Sequence, residues 1–259
     1  NRITYKMSDP LILISNDDGI YAPGIYALWE AMSEIGKTTI VAPNTEKSAV
    51  GHAITIYDPI RIEKVIRSNG FEGYAVNGTP ADSVKIAVQA IMKKKPDLII
   101  SGINAGANVG QSLLYSGTIS AASEGTLLGI PSIAISLDVL RDMNFSTSKI
   151  VATKIASMVI NNGLPKDTLL NVNVPKDIEG GINGYQVTRQ GAIYFKDNFD
   201  KREDPRGRIY YWMSGEVKDT DNDLKSDGVA IKKGYVSITP LQLEMTNFDF
   251  IDELNDWRF

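Results

Sequence analysis

The sequence predicts an α/β fold, a doubly wound (Rossmann-like), mostly parallel sheet with helices on both faces, extended by a C-terminal β-hairpin arm. Three observations predict it. Short, uniformly apolar runs such as Leu11–Ser15 (LILIS), Asp97–Ser101 (DLIIS) and Ser132–Ser136 (SIAIS) have the length and composition of strands buried on both faces. They alternate with segments whose apolar residues recur at helical spacing, which is the signature of βαβ units. From about residue 186 the chain becomes polar and aromatic, with turn signals at Asp204-Pro205 and Arg206-Gly207, and reads as hairpins.

Taken in order, LILIS is the first strand, and a loop punctuated by glycine and proline follows it. Ile25, Leu28, Met32 and Ile35 then repeat at helical spacing up to Gly36, a residue suited to the position just past a helix. Thr39–Ala42 (TIVA) is a second strand. Thr79-Pro80 supplies a cap and a first-turn proline for a helix over roughly 80–93, which Pro96 ends. DLIIS leads through a glycine-rich loop to a helix near 118–128, closed by Gly129. SIAIS, a helix over about 147–161 and the strand Leu169–Val174 continue the alternation. In the polar segment, Ile209-Tyr210-Tyr211-Trp212-Met213 is a strong strand former with more large apolar groups than a free surface strand carries, so an inter-subunit role is expected. Tyr235–Thr239 (YVSIT) is a returning strand, and a helical stretch near 247–257 follows.

The chain has 259 residues, 43% hydrophobic and 22% charged, ordinary for a globular protein. That length suits one large domain with an appendage or two small ones. We expect a metal- and phosphate-binding core over 7–185, and a segment over 186–259 that serves oligomerisation. Residues 1–6 precede Met7 and are set aside. No apolar run approaches the eighteen or so residues of a spanning helix, and the N-terminus lacks the pattern of a secretion signal, so no membrane partner is expected. The absence of cysteine excludes disulfides, thiolate zinc sites and cysteine nucleophiles, and favours a reducing, cytoplasmic setting. A net charge of −4 provides no basic field for a nucleic acid polymer.

Open α/β sheets bind ligands outside the carboxyl ends of their strands, so the loops after LILIS, TIVA and DLIIS should converge. They carry Asn16-Asp17-Asp18-Gly19, Asn44 to Ser48, and Asn104 to Asn108. Adjacent carboxylates in a half-enclosed loop repel, and a cation between them relieves the repulsion. Asp17, Asp18, the Ser48 hydroxyl and the Asn104 amide are oxygen ligands suited to one hard divalent ion, Mg²⁺ or Mn²⁺. Taken alone, Asp-Asp-Gly after a strand is more simply a turn and a helix cap, and only the convergence of three loops favours the metal. Tyr115-Ser116-Gly117-Thr118 stands directly before a helix, where free N–H groups and hydroxyls form an anion site; the plainer role is again a cap. The single imidazole, His52, is a candidate leaving-group acid or a structural hydrogen-bonding residue.

Several segments together carry a family resemblance: NDDG (16–19), KSAVGHAIT (47–55), GTPAD (78–82), SGINAGANVG (101–110), YSGTISAASEG (115–125), NVNVP (171–175), TRQG (188–191) and YVSITPL (235–241). In these the chain resembles the survival protein E (SurE) family of 5′/3′-nucleotidases. The resemblance implies that Asp17, Asp18, Ser48 and Asn104 bind the metal and that Asn108, Ser116, Gly117 and Thr118 hold the phosphate. It also implies a homodimer or homotetramer built through the arm, and cleavage of either phosphate position or of short polyphosphate. Many members carry an acidic residue and an Arg-Ser-Gly or Arg-Ser-Ala run in the second loop, where this chain has Asn44 and Lys47-Ser48-Ala49.

The expected reaction is metal-dependent hydrolysis of nucleoside monophosphates, with Asp17 and Asp18 catalytic and no organic cofactor. Two rivals are a nucleotide sensor without catalysis and a haloacid-dehalogenase-type phosphatase. The latter needs a nucleophilic aspartate where this chain has Asn16, and an amide forms no aspartyl-phosphate.

Overall fold

The structure, a computed structural model, describes residues 9–141, 143–176 and 181–257. The outer limits of the two expected segments, at 7 and 259, lie outside the described residues. Among the described residues, eleven strands and six α-helices form one main sheet, one hairpin and their helical covering.

The first half runs β1 (Leu11–Ser15), α1 (Pro23–Ser33), β2 (Lys37–Pro43), β3 (Ile62–Ile66), β4 (Glu72–Val76), α2 (Pro80–Ile86), β5 (Leu98–Ala105) and α3 (Gly117–Leu127). Then come β6 (Ser132–Leu137), α4 (Ser146–Asn162), β7 (Thr168–Val174), β8 (Gly184–Val187), β9 (Tyr194–Glu203), β10 (Ile209–Lys218), α5 (Asp227–Lys232), β11 (Tyr235–Gln242) and α6 (Phe248–Asn255). The main sheet has the order β3-β4-β2-β1-β5-β6-β7-β11-β8. Its centre is parallel from β4 to β7, and the antiparallel pairs are β3 with β4 and β11 with β7.

Alternation within β1 shows why its run is apolar throughout. Ile12 and Ile14 enter the core under α1 and α4, while Leu13 enters the core under α2 and α3. The chain leaves β1 toward β2 on one side and later lays β5 on the other, so the sheet reverses its winding at β1. A crevice opens at such a reversal, at the carboxyl ends of β1 and β5.

Two local departures from the sequence reading have physical causes, and the returning strand and hairpin stand as expected. The helix expected over 80–93 is regular only to Ile86 and widens into a π-turn over Ala87–Ile91. Strand β3 carries one buried residue, Val65, because it lies at the sheet edge, and its pattern gives no apolar alternation. Beyond residue 186, β11 returns into the main sheet between β7 and β8, whereas β9 and β10 form a separate two-stranded ribbon.

Candidate active site

The turn after β1 is built by Asn16. Its buried side chain donates to the Gly19 carbonyl (3.0 Å) and accepts from the Gly19 N–H (3.2 Å), closing a loop that Gly19 completes at φ +95°. Asn16 is thereby spent on backbone, and the two aspartates stand at the loop's tip.

Asp17 is 5% exposed. Its carboxylate accepts the Thr118 hydroxyl at 2.6 Å, and its carbonyl accepts the N–H of Lys47 at 2.8 Å. The start of α3 is packed so closely that a Cβ at position 117 would come within 2.6 Å of Asp17 Cβ, which is why glycine stands there. Asp18 accepts from the N–H of Ala105 at 3.3 Å, at the end of β5. Two adjacent aspartates thus touch the second loop, the third loop and a helix N-terminus, the convergence expected from strand-end geometry.

The electrostatics match. Burial raises the Asp17 carboxyl above its ordinary value, against the lowering effect of the Thr118 hydroxyl and the N–H groups of Gly117 and Thr118. Burial first, then the Asp17 charge and lastly Glu46, push Asp18 up to about 6, while the Ala105 N–H pulls the other way. Among the described residues no lysine, arginine or histidine pairs with either carboxylate.

The remaining candidates are arranged around the pair. Ser48 is exposed and donates to Glu46 Oε1 at 2.6 Å, whereas the side-chain bonds of the aspartates go to Thr118 and Ala105. Glu46 therefore adds a third carboxylate near Asp18; the sequence reading passed over it, because a single acid in a polar loop carries no signal. Asn104 commits its amide nitrogen to the Gly106 carbonyl (2.7 Å), which leaves its Oδ1 as the atom to offer a cation. A register shift between Ser101 and Asn104 in the β5–β6 pairing re-aims this stretch. Among the described residues no cluster of three or more His, Cys, Asp or Glu side chains could hold a metal. Asp17, Asp18, Ser48 and Asn104 all offer oxygen, the donor type that hard cations such as Mg²⁺ or Mn²⁺ prefer.

On the anion side, the Ser116 hydroxyl caps α3 by accepting from the Ile119 N–H at 3.1 Å. Asn108 is buried in a cradle that the sequence reading missed. It donates its side-chain amide to Ser136 and its N–H to Asn173, and its carbonyl accepts from Asn171 (2.9 Å) and Asn173 (3.0 Å). The signal for that cradle was the alternation of asparagine with valine in NVNVP. His52 faces the buried Glu124 (3.1 Å), which also pairs with Lys85 (2.7 Å). Its Nε2 is thereby engaged in a link between the second loop and α3.

Comparison with known proteins places the chain in a family. The profile of the family described as Survival protein SurE matches residues 12–197. A 5′-nucleotidase SurE of Caldanaerobacter subterraneus subsp. tengcongensis is 45% identical over 253 residues, 97% of this chain and 99% of the relative. One of Syntrophobacter fumaroxidans is 46% identical over 95% of this chain and 99% of its own length. The crystal structure of the Aquifex aeolicus SurE protein superimposes with a TM-score of 0.84 at 41% identity, covering 95% of this chain and 98% of that one. Likeness of this extent, running through the loops that meet at Asp17 and Asp18, means that the chain belongs to the SurE family.

Proposed function

We propose that this chain is a divalent-metal-dependent phosphomonoesterase that hydrolyses nucleoside 5′- and 3′-monophosphates to nucleoside and phosphate. The observation that carries the reading is the contact of Asp17 with Thr118, which sets a pair of under-compensated carboxylates against a helix N-terminus. The relatives' name, 5′-nucleotidase SurE, supports the substrate class.

Asp17, Asp18, Ser48 and Asn104 would hold one cation, Mg²⁺ or Mn²⁺. When bound, that cation offsets the paired carboxylates and stabilises charge on the phosphoryl oxygens. Ser116, Gly117, Thr118 and Asn108 bind the phosphate, the helix N–H groups supplying oriented dipoles and the Asn108 amide a donor fixed by its cradle. Asp17 orients the attacking water in line with the ester bond. A new P–O bond forms on one face of phosphorus as the water gives up a proton, while the P–O bond to the nucleoside breaks on the other and its oxygen leaves as a hydroxyl with a proton from solvent. The chain works by placement, with no covalent intermediate, since Asn16 offers no nucleophile.

Assembly into a homodimer or homotetramer belongs to the same reading. The ribbon of β9 and β10 carries Phe199, Tyr211, Trp212 and Met213, each 59–64% exposed. An isolated two-stranded ribbon is marginal in water, and a bare aromatic patch on it calls for a covering surface. A second copy of the chain supplies one.

The test is phosphate release from a panel of nucleoside 5′- and 3′-monophosphates and short polyphosphate, after chelation and then with Mg²⁺ or Mn²⁺ restored. Release without any divalent ion, or none with either, would refute the reading.

A further inference from the structure

Helix α5 begins with Asp227, a fully buried carboxylate that the mechanism above does not use. Its Oδ2 accepts the N–H of Gly110 at 3.0 Å, and its Oδ1 accepts the N–H groups of Gly191 (3.0 Å) and Gly228 (2.7 Å). Gly110 lies between Asn108 and Ser116, within the loop that carries the phosphate donors. Gly191 lies three residues before β9, at the root of the arm.

Further bonds join the same two segments. Gln190 Nε2 donates to the Gly110 carbonyl (2.8 Å), and the Gln111 N–H donates to the Ile193 carbonyl (2.8 Å). Val109, Ile193 and Ile231 pack into a small apolar cluster beside these bonds. The approach is tight: Gly110 sits at φ +55°, and a Cβ there would come within 2.3 Å of the Ile193 carbonyl oxygen. Both polar groups of the Gly110 peptide backbone are therefore held from the arm's side of the molecule. On the other side Asn108 is fixed to Asn171, Asn173 and Ser136.

We infer that Asp227 is a positioning residue for the phosphate pocket, fixing the Asn108–Ser116 loop against the root of the arm. A buried carboxylate retained at the junction of three backbone segments is costly unless its donors are all in place, so it enforces one arrangement of those segments. The bonds that set the loop are the ones that seat the arm, and a displacement of either is passed to the other. The inference rests on the proposed role of Asn108 and Ser116 in holding phosphate.

Two variants test it. Asp227→Asn presents an amide N–H₂ to one of the backbone donors, and Gln190→Ala removes only the bond to the Gly110 carbonyl from an exposed side chain, so it reports even if the first variant fails to fold. Amide hydrogen exchange over residues 108–118 reads the positioning itself, and KM for a nucleoside monophosphate with the inhibition constant of inorganic phosphate reads its consequence. The expected result is faster exchange confined to that loop. KM and the phosphate constant should rise roughly tenfold in Asp227→Asn, the size of one lost charge-assisted hydrogen bond, and less in Gln190→Ala. The metal concentration for half activation should stay as in the wild type. Wild-type exchange in both variants, or a fall in kcat alone with KM and the phosphate constant unmoved, overturns the inference. A wild-type protein that releases no phosphate refutes the proposed function instead, and the exchange measurement then decides the positioning by itself.

Discussion

The hydroxyl of Thr118 donates to the carboxylate of Asp17 across 2.6 Å, joining residues 101 positions apart in the chain. The bond runs from the first turn of α3 to the tip of the loop after β1. It places the helix's positive end on the buried acid, so a charge disfavoured by desolvation is held where the N–H groups of Gly117 and Thr118 also lower its pKa.

Replacing Asp17 or Asp18 by asparagine keeps the volume and removes one charge. Phosphate release under saturating metal should fall about 10²–10³-fold in each variant, as for loss of one charge-stabilising group at a reacting centre. Thr118→Val should fall less, since it deletes a hydrogen bond and leaves the carboxylate in place. Steady-state rates at saturating metal and substrate decide this, and full activity in both aspartate variants would remove the site.

Gly117→Ala tests the same junction sterically. The added methyl would stand 2.6 Å from Asp17 Cβ, an atom tied to its own backbone, so loop and helix must separate. We expect a properly folded protein by circular dichroism with activity reduced at least as far as in Thr118→Val.

How far the sequence could be read depends on where the determining contacts lie. Strands β1, β5 and β6 were legible because both faces are buried, which writes an unbroken apolar run into the chain. Edge strand β3 and the six-residue α5 were not, since four of five β3 residues face solvent and α5 is too short to show a period. The meeting of three loops was legible from the strand-end rule. The cradle of Asn108 was not, because its bonds to Asn171 and Asn173 span 63 and 65 residues and depend on β7 lying beside β6. Its residues look like ordinary strand positions until the sheet order is known.

Asp82 carries a pH dependence with a definite sign. Burial alone would raise its carboxyl, but the Thr55 hydroxyl and the Thr79 and Thr55 N–H groups outweigh it and hold the group below its ordinary value. A depressed folded pKa stabilises above the unfolded value of about 3.9 and is lost as pH falls through the folded one. Asp82→Asn should therefore lower Tm at pH 7 by roughly 2–4 °C, the shift expected for about 1 kcal/mol in a chain of this size. The gap to wild type should close below about pH 3.9. A gap of constant size from pH 3 to 7 in calorimetry would contradict this origin.

His52 has its Nε2 engaged with Glu124, itself held by Lys85, and so links the second loop to α3. As a structural link it should tolerate replacement by asparagine. We expect kcat/KM within about threefold of wild type, the worth of one modest hydrogen bond, and an unmoved pH–rate profile. Loss of one limb of that profile would make His52 the leaving-group acid after all.

The ribbon of β9 and β10 makes the last prediction. Tyr211 and Trp212 are neighbours on β10, so their side chains point to opposite faces, yet each is 59% exposed. A ribbon bare on both faces gains little by folding back on its own subunit, because one face would remain wet. A second chain can cover both. Replacing the pair by serine should leave the main sheet intact, since neither residue contributes to its cores. The mass measured by light scattering should fall toward that of a monomer, while far-ultraviolet circular dichroism stays near wild type. Buried aromatic anchors carry most of the energy in an interface of this kind, so two substitutions suffice. An unchanged mass would mean that copies of the chain associate through some other surface, or not at all.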